Sequence, residues 1–279
     1  MTVPSIDESE TLKRALAAAA RIATLPQVAA RVIELVEDPN SQNAEIEQVI
    51  QADPVLSAKI LKVANSPMYG FTQKVASVRR AVDLLGHAAT RNVTIAVSMA
   101  KLFQPGALVP GVDAEALWRH SNATAIASRH VADYFGAPPE EAYLAGLLHE
   151  IGIVLEMLVD RGALQQALRL ARTDPNVRLC EAERSCFGTD HAKIGAALCR
   201  EWKLPVAVGQ AVAEHHEPTS DAPLAAVVHL ANALVPEEPE GFGLDVGADE
   251  PTEWMLACLS ATPTDLAAVS ERVRQAVTG

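Results

Sequence analysis

Residues 142–155, AYLAGLLHEIGIVL, are apolar on nearly every face of a helix, so this segment must be buried on most sides. A chain of 279 residues, one large domain or two small ones, is long enough to supply such a core. His149 and Glu150 interrupt the run. A carboxylate in such a helix must be paired, protonated or bound to a cation, because uncompensated burial costs several kcal/mol or more. The ordinary alternative is a structural network in which Glu150 accepts a hydrogen bond from a neighbouring arginine or a backbone N–H.

The helical period dominates the rest of the chain. Val28, Val32, Ile33 and Val36 mark a helix over 28–38 that Asp38-Pro39-Asn40 stops. Asn43 can cap a second, short helix, with Glu45 and Glu47 near its positive end. Asp53-Pro54 is a cap followed by proline at the first helical position, and Leu56, Ile60 and Val63 continue the apolar stripe. Ser77 starts another helix, which Gly86 can end as a left-handed residue, and a further helix is predicted over 87–102. PGALVPGVD, 105–113, reads as a linker between halves. Beyond it, helices are predicted at about 114–135, 139–158, 190–202, 205–216 and 223–234, a Pro-, Gly- and acid-rich loop over 236–251, and two short helices near 252–260 and 263–277. No segment alternates strongly with turn residues on both sides, so a sheet is not expected. The fold class is all-α, with one helical half packed against another.

Charge and cysteine usage narrow the function. Lys and Arg total 23 against 35 Asp and Glu, a net charge of −12 that repels phosphate backbones and argues against non-specific nucleic-acid binding. Clusters such as Arg79-Arg80 with Arg91 read as solvated faces. The four cysteines, Cys180, Cys186, Cys199 and Cys258, show no CxxC spacing and read as reduced cytosolic thiols. The N-terminus, MTVPSIDESE, lacks the order of a signal peptide, and no stretch reaches the roughly 18 apolar residues of a membrane span. The expectation is a soluble cytoplasmic protein with no membrane partner. There is no GxxxxGKS/T phosphate loop, GxSxG elbow or HExxH, and GFGLDVG has the wrong spacing for a dinucleotide fold.

The remaining chemistry lies in eight histidines. His191 shares an apolar stripe with Ile194, Leu198 and Trp202 on a helix that Thr189 can cap, the ordinary place of a core histidine. His215-His216 ends the next helix before Glu217-Pro218. Adjacent residues cannot share one helix face, but a helix end lets one ring turn inward; the ordinary role there is to stabilise the C-terminus. His120 follows Arg119 near the start of its helix. Their order along the chain says more than any one of them.

In that order the chain resembles the HDOD family, a branch of the HD phosphohydrolase superfamily. LPQVAARVIELVEDPNS (25–41), IQADPVLSAKILKVANSPMYG (50–70) and SVRRAVDLLG (77–86) look like successive signatures of its first half. LWRHS (117–121), AGLLHEIG (145–152), TDHAKIGAALCREWKLP (189–205), AVAEHHEP (211–218) and VVHLANAL (227–234) match the second. The resemblance implies a multi-helix HDOD domain over 18–235, with an N-terminal helical half at about 18–104 packed on an HD-like half at 113–235, followed by a loop and C-terminal helices over 236–279. In HD enzymes that cut phosphate esters, a first histidine, a His-Asp pair and a later aspartate hold a divalent metal. The resemblance carries those positions to His120, His149, Glu150 and Asn232. In the two-metal relatives that cleave cyclic dinucleotides further histidines join, and His191 and His215 or His216 are similar in position. The metal of such enzymes polarises a phosphoryl oxygen and lowers the pKa of the attacking water.

Two departures matter. Glu150 stands where the pair has Asp, one methylene longer, and Asn232 stands where the later aspartate is expected, offering a carbonyl oxygen without charge. The GYP extension of the cyclic-dinucleotide hydrolases is also absent. The resemblance therefore implies a degenerate metal site, with no required cofactor but a place for divalent Mn, Fe or Zn. It implies a non-catalytic bacterial signalling module acting through a protein partner or a nucleotide-like ligand. The alternative is a metal-dependent phosphohydrolase acting on nucleotides or cyclic dinucleotides. A third arrangement, in which His149, Glu150, His191 and Asn232 merely join the helices through buried hydrogen bonds, needs neither metal nor substrate.

Overall fold

Caps and prolines set many helix boundaries in the computed structural model, which describes residues 7–22, 27–100, 103, 107–110, 112–174, 176–219, 222–235 and 257–278. Five helices come first: α1 (Glu8–Ile22), α2 (Gln27–Glu37), α3 (Asn43–Gln51), α4 (Pro54–Ala64) and α5 (Val78–Met99). A short antiparallel pair, β1 (Ala107–Val109) and β2 (Val112–Asp113), leads into α6 (Ala114–Phe135). Then follow α7 (Pro139–Leu148), α8 (Ile151–Val159), α9 (Arg161–Thr173), α10 (Leu179–Phe187), α11 (His191–Glu201), α12 (Val206–Glu214), α13 (Pro223–Leu234) and α14 (Pro263–Thr278). The all-α class holds, with one correction: the segment read as a linker contains the β1–β2 pair, too short to show any alternation. The loop expected over 236–251 and most of the helix expected near 252–260 lie outside the described residues.

The chain divides into two compact units, one formed by the helices from α2 to α5 and the other by α1 together with everything from Phe103 onward. In the first unit, Val32, Leu35, Ile46, Ile50, Leu56 and Ile60 form the core, with Val28, Val36 and Val63 packed against it. Full burial of each isoleucine is worth roughly 1.5–3 kcal/mol of transfer free energy. Asp53 caps α4 as expected, its Oδ1 accepting from the Val55 and Leu56 N–H groups. Asn43 does not cap α3. Gln42 occupies that place, with its N–H donating to Glu45 at 3.0 Å, and Asn43 instead reaches Asp83 and His87. Asn65 replaces a missing strand partner: its amide donates to the Val75 carbonyl and accepts from the Val75 N–H, which seats Val75 in the core. Of the arginines noted above, Arg91 is buried against Glu37 at 2.6 Å, and Arg79 lies between Glu47 and Asp83.

The second unit wraps α7 and α8. The apolar stretch Pro139–Val159 is long and apolar enough to cross a membrane by length and composition, contrary to the sequence expectation. It is 78% buried within the fold and is broken at Glu150. Helix α1, which periodicity did not single out, packs on α8 and α11: Thr11 donates to the Phe187 carbonyl at 2.7 Å and Lys193 pairs with Glu8 at 3.1 Å. At the other end, Val269 and Val273 of α14 are fully buried, and Tyr134 of α6 donates to Asp265. All four cysteines are free thiols.

Gly86 interrupts α5 at φ 77° and ψ 175°, as the two-helix expectation for 77–102 requires. A Cβ there meets nothing within 4 Å, so the cost of a side chain is backbone strain alone. Gly86→Ala is expected to lower unfolding stability by about 1–3 kcal/mol. Urea denaturation followed by circular dichroism measures this, and an unchanged midpoint would mean that the positive φ is not required.

Candidate metal centre

Four helix ends and one helix face bring the expected side chains together. His120 lies on α6. His149 closes α7, and Glu150, at φ −100° and ψ 6°, stands outside helical conformation at the start of α8, so the single helix expected over 139–158 is two. His191 is the first residue of α11, and His215 closes α12 with His216 next to it. Asp190 rather than Thr189 caps α11, its Oδ1 accepting from the Lys193 N–H at 3.0 Å, while Thr189 donates to Glu8.

Hydrogen bonds orient the rings. His149 Nδ1 donates to the Gly146 carbonyl and His215 Nδ1 to the Val212 carbonyl, each at 2.8 Å. His191 Nδ1 donates to Glu183 Oε2 at 2.7 Å. A carbonyl oxygen can only accept, so the first two rings keep their Nε2 lone pairs for the interior. The Nε2 atoms of His120 and His149 lie 3.3 Å apart, and those of His191 and His216 lie 2.8 Å apart. Glu150 sits between these pairs, 3.6 Å from His149 Nε2 and 3.3 Å from His191 Nε2. One ligand atom from each of Glu150, His191, His215 and His216 lies within 4.8 Å of the others, and the same holds for His120, His149 and Glu150. His229 supports the arrangement from α13, donating to the His215 carbonyl at 2.6 Å.

Electrostatics favours lone pairs over charge at most of these rings. Burial, reinforced by neighbouring imidazoles, holds His149 and His216 well below the ordinary histidine range and His215 down at about 3. Burial also pushes Glu150 up, against the opposing pull of His191. His191 differs: burial alone would lower it, but the Glu183 and Glu150 carboxylates overcome that and hold it at about 9. Glu150 Oε2 and His215 Nε2 are buried with no hydrogen-bond partner among the described residues. Two orphaned lone pairs among neutral imidazoles fit a cation, and five imidazoles with one carboxylate suit a transition metal better than Mg²⁺ or Ca²⁺.

The structure thus brings His120, His149, Glu150, His191, His215 and His216 together. Asn232, half-buried on α13, accepts a 3.4 Å hydrogen bond from Thr124, one turn beyond His120 on α6. Glu150 meets imidazoles rather than the arginine or backbone N–H of the ordinary alternative. Sequence reasoning missed Glu183 and Cys180 as neighbours of the site, since α10 was not anticipated, and Glu156, which directly follows the apolar run 142–155 on α8. A signal existed for Glu183: it lies four residues from both Leu179 and Phe187, on the stripe that α10 buries.

Gly152 permits the contact on which Glu150 depends. A Cβ there would overlap the His191 carbonyl oxygen and lie 2.6 Å from His191 Cα. Gly152→Ala must therefore part α8 from α11, at a cost of about 1–3 kcal/mol or more. A thermal melt is expected to shift down accordingly, and a variant as stable as the parent would show that the two helices need not approach so closely.

The HDOD domain family model matches residues 22–218. The chain is 26% identical over 243 residues to an uncharacterized protein of Treponema pallidum, covering 82% of this chain but only 45% of that protein's length. An HDOD domain protein of unknown function from Geobacter sulfurreducens is similar in structure at a TM-score of 0.63, with 25% identity over 96% of this chain and 99% of the other. A candidate phosphohydrolase of Shewanella amazonensis is similar at 0.68, with 26% identity over 94% and 93% of the two chains. A candidate signal transduction protein of Marinobacter aquaeolei shares the fold at 0.71, with 23% identity over 99% of this chain and 65% of the other.

Proposed function

This chain belongs to the HDOD family, and from that premise we propose that it is a non-hydrolytic signalling module whose imidazole-rich centre takes up a divalent transition metal. Its proposed partner is a separate signalling protein, with a nucleotide-like ligand as the second candidate. The observation that carries this reading is the donor set. Five imidazoles and one carboxylate close on one another, and the position where the resemblance calls for a second carboxylate is Asn232, whose oxygen accepts from Thr124. His149, His191 and His215 are at most 1% exposed, so a phosphodiester would have to approach past the half-buried His120 and His216. A buried, mostly neutral donor set suits retention of a metal better than turnover of a large anion.

The phosphohydrolase reading remains the alternative, favoured by the convergence of five of the expected donors, all histidines, on Glu150 and by likeness to the Shewanella protein. His120, His149, Glu150, His191, His215 and His216 would then hold a divalent cation that polarises a phosphoryl oxygen and acidifies water.

Elemental analysis of the untagged protein, prepared without chelator and incubated with Mn²⁺, Fe²⁺ or Zn²⁺, tests the centre. Near-stoichiometric metal is expected, with loss in Glu150→Gln. Asn232→Asp is expected to tighten binding on the order of tenfold, about 1.4 kcal/mol. No hydrolysis of bis(p-nitrophenyl) phosphate or cyclic dinucleotides is expected. A protein that stays folded and empty would overturn the metal reading, and Glu150-dependent turnover would replace the signalling module with the hydrolase.

A further inference from the structure

We propose that α1 is a removable clamp on the candidate centre. Glu8, Thr11 and Arg14 close the ends of the three helices that carry His191, Glu183 and Glu150, so that docking of α1 and uptake of a metal favour one another. The inference rests on the metal-binding reading given above and adds a means of regulating it.

The end of a helix leaves carbonyl or N–H groups without partners inside the helix. Helix α1 supplies partners at three such ends. Thr11, which is buried, donates its hydroxyl to the carbonyl of Phe187, the last residue of α10, at 2.7 Å. Arg14 Nη2 donates to the carbonyl of Val159, the last residue of α8, at 2.9 Å. Glu8 Oε1 accepts from Thr189 Oγ1 at 3.4 Å and from Lys193 Nζ at 3.1 Å, on either side of the Asp190 cap of α11. Each charge suits the end it meets, a guanidinium at a C-terminus and a carboxylate at an N-terminus.

The link from α10 to α11 runs only from Gly188 to Asp190, and Thr11 and Glu8 hold it at its two flanks. That corner sets Glu183 against His191, whose backbone N–H and Nδ1 both donate to Glu183 Oε2, at 3.0 and 2.7 Å. Arg14 fastens α1 to α8, the helix that begins beside Glu150, and Glu150 lies 3.3 Å from His191 Nε2. A metal held by Glu150 and His191 ties α8 to α11, and α1, packed on both, ties the same two helices. Two ties that favour one arrangement strengthen each other, and the coupling is reciprocal.

The hold on α1 is slight enough to release. Over residues 8–18 its buried side chains are Thr11 and Ala15, while Leu12 is only half-buried, so no large apolar group anchors the helix. The Glu8–Lys193 pair is 44% and 48% exposed, where ion pairs contribute little. The buried bond is the one from Thr11, and its loss leaves the Phe187 carbonyl without that donor. An element with so little buried apolar surface opens locally while the rest of the fold stays closed.

The test uses the full chain, Zn²⁺ alone as probe, and five proteins: the parent, Thr11→Val, Thr11→Ser, Glu8→Lys and, as a control at an exposed site on α1, Lys13→Gln. Affinity is read by chelator competition and opening by amide hydrogen exchange. In the metal-free parent, α1 is expected to exchange faster than α7, and Zn²⁺ is expected to slow it about fivefold or more. Thr11→Val and Glu8→Lys are expected to weaken Zn²⁺ binding about fivefold or more, whereas Thr11→Ser, which keeps the hydroxyl, and Lys13→Gln stay within about twofold of the parent. A helix that merely adds stability would leave the Zn²⁺ affinity of the folded protein unchanged. Parent-like affinity in folded Thr11→Val and Glu8→Lys would therefore overturn the proposal, as would an α1 that exchanges only as slowly as α7. Should Thr11→Val fail to fold, Glu8→Lys, altered at a half-exposed site, decides. A parent that takes up no Zn²⁺ defeats the metal reading. The clamp is then judged on the metal-free proteins, where faster exchange over 188–194 in the two variants supports it and parent-like exchange overturns it.

Discussion

The close approach of α8 to α11, at the point where Gly152 lies against the His191 backbone, is the contact from which the rest of the second unit takes its geometry. An unbroken α7–α8 helix would carry Glu150 along the direction of α7. With Glu150 near ψ 0° the chain turns, α8 starts afresh, and its first turn abuts the start of α11. That places a buried carboxylate within 3.3 Å of a buried imidazole. The turn contains neither glycine nor proline at its corner, so it owes its place to packing rather than to local preference. His149, one residue earlier, keeps its helical conformation and donates back to Gly146, which leaves its Nε2 pointing out of the helix end.

Given that contact, the charges must be arranged around it. Charging every imidazole would set several cations within a few ångströms of one another in a poorly solvated space. Burial therefore keeps His149, His215 and His216 neutral, and positive charge collects on His191, the ring gripped by Glu183 and facing Glu150. A simple structural network would satisfy its members, and this one does not. Glu150 Oε2 and His215 Nε2 lack hydrogen-bond partners although each is buried, a cost that native interiors seldom carry without a reason. A divalent cation among these atoms supplies such a reason, because it uses buried lone pairs that no hydrogen bond satisfies.

Much of this was legible in the chain. The stripes of α2 and α4, the Asp53 and Ser77 caps and the break at Gly86 follow from local chemistry, and the structure reproduces them. The donors His120, His149, Glu150, His191, His215 and His216 were legible only as an ordered set, because nothing in a single helix says that its histidine faces five others. The failures share a cause. Thr189 and Asn43 are reasonable caps by type, but Asp190 and Gln42 hold those places because tertiary partners, Glu8 for Thr189 and Asp83 with His87 for Asn43, claim the side chains. Glu183 escaped notice because a charged residue on a short helix reads as solvated until something buries the face it stands on. The break at Glu150 escaped notice because neither glycine nor proline stands at it, and the close approach of Gly152 to His191 joins residues some forty apart in sequence.

The placement of α1 follows the same logic and alters how the unit is bounded. The family match begins at residue 22, so nearly all of α1 precedes it. Yet α1 packs on α8 and α11, the helices that carry Glu150, Glu156 and His191. Thr11 donates to the carbonyl of Phe187, the last residue of α10 and one turn beyond Glu183. Glu8 holds both Thr189 and Lys193, which flank the Asp190 cap of α11. The segment from α10 to α11, which sets the distance between Glu183 and His191, is thus braced by residues far away in the chain. In sequence, the helices from α2 to α5 fall between α1 and the remainder of the second unit, so that unit is complete only when the chain has left it and returned.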